Sequence, residues 1–93
     1  MLAVRERVES TAVEIIKEAM RAHDRFGDFK STHEAYGVLA EEVAELLDAI
    51  RANKSMSIAE EARQVSAVSL RLAELCEREF TGNANEFGQR SNL

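Results

Sequence analysis

The sequence predicts an all-α fold: a helical bundle of three main helices followed by a polar C-terminal tail or short extra helix. Three observations predict it. Proline is absent, glycine occurs only four times, and Ala, Leu, Glu and Arg are plentiful, a mixture that favours helix over strand. Apolar residues recur at three- and four-residue spacing through three successive stretches. Serine-led capping signals open the second and third of these stretches. At 93 residues the chain is sized for one domain, with a core small enough to gain from oligomerisation. Residues 1–82 form that domain in this reading, and residues 83–93 form the tail.

The first helix is expected from about Val4 to Arg25, with Val8, Ala12, Ile15, Ala19, Ala22 and Phe26 on one face. Gly27 is placed to stop it. His23 points to the apolar side and reads as a core or interface histidine, while Lys17, Arg21 and Arg25 make a basic stripe at i, i+4 spacing. After a short connection, Ser31-Thr32-His33-Glu34 reads as a capping box, so the second helix begins near Thr32 and runs to about Ala52. The link Asn53 to Met56 leads to a second box, Ser57-Ile58-Ala59-Glu60, and a third helix to about Phe80, where Thr81-Gly82-Asn83 signals a stop. Phe26, Phe29 and Tyr36 read as core aromatics, and Cys76 as a small core residue on an apolar stripe.

No apolar stretch approaches the roughly 20 residues that span a bilayer, and Arg5, Glu6 and Arg7 interrupt the segment where a signal peptide would continue apolar. With a single cysteine, the expectation is a soluble, cytoplasmic protein without an internal disulfide framework. Residues 1–30 and 51–93 each hold six basic and six acidic side chains, so the net charge of -5 arises wholly in residues 31–50. That stretch carries Glu34, Glu41, Glu42, Glu45 and Asp48 without Lys or Arg, which attracts cations and argues against direct binding of nucleic acid.

Two glutamates stand where leucines would be expected. At about 100° per residue, Ala35, Val38, Leu39, Val43, Leu46, Ala49 and Ile50 form one arc, and Glu42 points into it with Glu45 at its edge. The third helix repeats the pattern: Glu61 lies within the stripe Ile58, Ala62, Val65, Val68, Leu72, Leu75 and Cys76, and Gln64 borders it one turn later. An unpaired buried carboxylate costs several kcal/mol, so two on facing stripes call for a shared cation or a basic partner. If the second and third helices pack antiparallel, as their short link suggests, Glu42, Glu45, Glu61 and Gln64 converge as four oxygen donors. Hard oxygen ligands without His or Cys select Mg²⁺ or Mn²⁺ over Zn²⁺ and leave positions open for substrate phosphates.

Glu41-Glu42-Val43-Ala44-Glu45 resembles the E-E-x-x-E motif of the MazG-like all-α nucleoside triphosphate pyrophosphohydrolases, and Glu61-Ala62-Arg63-Gln64 resembles their following E-x-x-D. The segment His33 to Leu39 is also similar to the entry of that helix in small family members, and the resemblance covers roughly residues 20–80. It implies a Mg²⁺-dependent enzyme that cleaves a nucleoside triphosphate between the α and β phosphates, giving nucleoside monophosphate and pyrophosphate, as in a house-cleaning activity. By motif position Glu42, Glu45 and Glu61 are the implied metal ligands, and Glu41 is the implied residue orienting or deprotonating the attacking water. The family's dimers or dimers of dimers imply a homodimer or homotetramer here, with the four-helix core completed by a second chain. Arg51 and Lys54, at the end of the second helix, then become candidates to meet the phosphates.

Gln64 departs from the family pattern by replacing an anionic ligand with a neutral amide. That departure carries an alternative: a non-catalytic nucleotide-binding or regulatory helical dimer. A third reading is a structural dimer whose inward glutamates pair with Arg63 or Arg71 or with arginines of another chain.

Overall fold

A computed structural model describes residues 2–82, and its side chains through residue 79. It contains helices α1 (Val4–Phe26), α2 (Thr32–Ala52) and α3 (Ser55–Gly82), with no strand among the described residues. The expected tail, residues 83–93, lies outside the described residues.

The helix boundaries follow from local chemistry. Gly27 ends α1 at φ 73°, a left-handed value that glycine adopts without Cβ strain, and its N–H donates to the His23 carbonyl at 2.7 Å. Ser31 caps α2 by accepting from the Glu34 amide at 3.0 Å, while the Glu34 carboxylate accepts from the Lys30 amide at 3.1 Å. The expected capping box is therefore present in function, with its return bond taken one residue earlier. The start of α3 departs from expectation. Asn53 adopts a left-handed conformation at φ 56°, so the chain reverses within Asn53 and Lys54, and the Lys54 carbonyl already accepts from Ile58 N at 2.9 Å. Ser57 thus lies inside the helix, which begins at Ser55.

Helix α3 packs against both α2 and α1, with the α2–α3 interface the more extensive. Phe29, Ala35 and Val68 form the buried centre, and Val38, Leu39, Leu72 and Leu75 pack around them. Glu14 and Glu60 line one depression and His23 and Glu74 another, so α1 runs parallel to α3 in a register that carries the start of α1 beyond the first turn of α3. This explains why Val8, expected in the core, is 61% exposed. Phe26 and Tyr36 are also exposed, whereas Phe29, in the connection between α1 and α2, is buried. His23 is not a core residue: it stands half-exposed with Nε2 3.4 Å from Asp28 Oδ1, and Cys76 is half-buried.

Candidate metal centre and adjoining groove

The antiparallel α2–α3 pair brings Glu42 and Glu45, one turn apart on α2, against Glu61 on α3. Each offers a carboxylate oxygen, and these three oxygens lie within 4.8 Å of one another. Glu42 and Glu61 are half-buried and Glu45 is exposed. Oε2 of Glu42 and Oε2 of Glu61 are shielded from solvent and have no hydrogen-bond partner. Leaving a charged acceptor in that condition is costly, so these two atoms call for a cation or a proton. Burial pushes the Glu42 carboxyl above its ordinary value, and the charges of Glu45, Glu61 and Glu41 add to the effect. Glu61 is raised chiefly by burial as well, with Glu45 the main neighbour.

A donor set of three carboxylates fits a hard divalent cation such as Mg²⁺, and the two shielded oxygens supply acceptors that no group among the described residues satisfies. Gln64, expected as a fourth donor, is half-buried one turn beyond Glu61. It lines one depression with Glu18 of α1, whose carboxyl is held below its ordinary value first by Arg21 and next by Gln64. Glu41 is exposed beside the cluster. Arg51 and Lys54 are exposed at the far end of α2 and its link. Neither lines the groove described below.

That groove, about 690 Å³, opens next to Glu42. Its floor is the α3 stripe Gln64, Ala67, Val68 and Arg71, and its walls are the end of α1, the connecting segment and the start of α2. Arg21, Arg25, Lys30 and Arg71 all line it. The chain matches no protein-family model, no curated protein sequence and no solved structure.

Sequence reasoning located Arg21 and Arg25 only as a basic stripe of α1 and considered Arg71 only as an ion-pair partner of the inward glutamates. Arg71 instead donates to the Gly27 carbonyl at 3.1 Å, and its guanidinium lies 4.3 Å from the centroid of the Phe29 ring. Among the described residues neither Arg71 nor Arg63 forms a salt bridge with Glu42 or Glu61. The i, i+4 spacing of Arg21 and Arg25 was the available signal for this wall of the groove. The contact of Arg71 with a segment 44 positions away had none.

Proposed function

We propose that the protein is a Mg²⁺-dependent nucleoside triphosphate pyrophosphohydrolase of the MazG-like class, acting in the cytoplasm. The observation that carries the reading is the convergence of Glu42, Glu45 and Glu61 with two shielded, unpartnered carboxylate oxygens. Mg²⁺, or Mn²⁺ in its place, supplies neutralisation of the triphosphate and stabilisation of charge developing at phosphorus. Glu42, Glu45 and Glu61 hold the cation, and Gln64 provides a neutral oxygen at the margin of the site. Glu41 orients the attacking water and accepts its proton as the bond between the α-phosphorus and the bridging oxygen breaks. Water and the triphosphate give nucleoside monophosphate and pyrophosphate.

The assembly in this reading is a homodimer or homotetramer. Tyr36, Val43, Leu47 and Ile50 recur at i, i+7, i+11 and i+14, forming one apolar stripe along α2, and each is more than 40% exposed. A second chain laid along that stripe would complete a four-helix core. Arg51 and Lys54, remote from the groove of their own chain, would then be free to reach the site of a neighbour.

Gln64, a neutral amide in place of an anionic ligand and sharing one depression with Glu18, favours a second reading, in which the chain binds a nucleotide without hydrolysing it. Pyrophosphate release from a panel of standard and modified nucleoside triphosphates, with Mg²⁺ and with Mn²⁺, separates the two. Release that disappears in Glu42→Gln supports the enzyme. Triphosphate binding without release would favour the binding module.

A further inference from the structure

The groove beside the carboxylates is electrically divided, and the division identifies a ligand. Apart from Glu42 of the cluster, the carboxylates on its walls already have partners: Glu18 engages Arg21, Asp28 engages Arg78 at 3.0 Å, and Glu34 accepts from the Lys30 amide. The cations Arg25, Lys30 and Arg71 have no carboxylate partner among the described residues. Arg71 is the central one. It is half-buried and fixed by two uncharged groups, the Gly27 carbonyl and the Phe29 ring face. A carbonyl bond and a cation–π contact orient a guanidinium without neutralising it, and most of its N–H donors remain available. A planar donor fork held in place with its charge uncompensated matches the oxygens of a phosphate group.

We propose that Arg71, assisted by Arg25 and Lys30, forms an oligophosphate subsite that receives the phosphate groups lying farthest from the Glu42, Glu45 and Glu61 cluster. Arg71 follows Glu61 by ten positions on α3, a rise of about 15 Å, and helical side chains lean back toward the N-terminus and so toward the cluster. One phosphate cannot occupy both ends of such a groove, whereas a chain of phosphates extends from one toward the other. The subsite therefore selects triphosphates over monophosphates. This deepens the hydrolase reading and rests on it only for the nucleoside part of the ligand.

The test is calorimetric titration, with Mg²⁺ present, of tripolyphosphate, a nucleoside triphosphate with a non-hydrolysable α,β bridge, and the matching monophosphate. Arg71→Ala should weaken both triphosphate ligands about tenfold or more, the scale of a lost charge-assisted contact, and change monophosphate binding less than about twofold. Arg71→Lys should recover part of the loss. Unchanged triphosphate affinity in a folded Arg71→Ala protein, or an equal loss for all three ligands, overturns the subsite. Should Arg71→Ala lose its helical circular dichroism, the exposed pair Arg25→Ala/Lys30→Ala decides instead, with a loss of about threefold or more expected and unchanged affinity overturning the proposal. Turnover dependent on Glu42 but indifferent to Arg71 would remove the subsite and leave the hydrolase. Tripolyphosphate binding that needs Arg71 but neither Mg²⁺ nor Glu42 would do the reverse.

Discussion

Replacing Glu42 by Gln should make the ion-free protein more stable while abolishing its response to Mg²⁺. Carboxylate oxygens of Glu42, Glu45 and Glu61 lie within 4.8 Å of one another. Two unit charges at about 4.8 Å repel by about 3.5 kcal/mol at an effective dielectric constant of 20 and by about 0.9 kcal/mol in bulk water. Glu42 is half-buried and Glu45 is exposed, so the relief lies nearer the lower figure. Two such neighbours, Glu45 and Glu61, give about 2 kcal/mol of relief, and an amide left poorly satisfied at the shielded position takes back about 1 kcal/mol, so a net gain of about 1 kcal/mol is expected. In a domain of this size that raises Tm by roughly 4–8 °C. The pH dependence has a definite sign. Because the folded-state carboxyl of Glu42 is raised, its favourable contribution is present at low pH and is lost as pH rises through that value, above about 4.5. The wild-type protein in EDTA should therefore gain stability on mild acidification, and Glu42→Gln should respond less. Scanning calorimetry in EDTA and in millimolar Mg²⁺, at several pH values, reads all of this. A lower Tm for Glu42→Gln in EDTA would refute the reasoning and point to an ion pair made with another chain.

Four further outcomes are expected. Gln64→Asp should tighten binding of a second cation in a Mn²⁺ titration, by about tenfold for one added anionic ligand; an unchanged isotherm would place residue 64 away from the ions. Glu41→Gln should lower turnover by about 10² or more while leaving Mg²⁺ binding intact, as measured by pyrophosphate release and calorimetry in parallel. Asn53→Val should destabilise the protein by about 1–2 kcal/mol, because a β-branched residue is strained in the left-handed conformation Asn53 adopts, whereas Asn53→Gly should cost little in chemical denaturation. The Arg78 guanidinium holds Asp28 and Glu74 below their usual carboxylate range, a contribution present above their unfolded values near 4 and lost as pH falls through the depressed ones. Arg78→Ala should therefore flatten the fall of Tm on acidification toward pH 3; an identical fall in the variant would show the pairing to be energetically silent.

Much of the architecture was legible along the chain because local chemistry controls it. Ser31 and Glu34 mark the start of α2 by satisfying exposed amides, Gly27 ends α1 by accepting a positive φ, and Glu42 and Glu61 announce themselves as charges inside apolar stripes. Where two local signals competed, sequence reasoning missed: Ser57 had the form of a cap, but Asn53 turned the chain first and left Lys54 to precede the first residue of α3, Ser55. Periodicity also assigned Val8 and Phe26 to a core they do not enter. A hydrophobic stripe records which residues share a face, and says nothing of how far the neighbouring helix extends beneath them.

The sequence by itself determined the helices and the pairs Glu42 with Glu45 and Glu61 with Gln64, because spacing of three residues fixes common facing on any helix. Only the tertiary structure decided that Glu61 meets Glu42 and Glu45 within 4.8 Å, and that Gln64 shares one depression with Glu18 of α1. It alone decided that Arg71, far along the chain from Gly27 and Phe29, stands fixed and uncompensated in the groove that Glu42 borders. Those relations depend on the register of one helix against another. Register is set by the summed packing of both faces, a quantity that no short stretch of sequence carries.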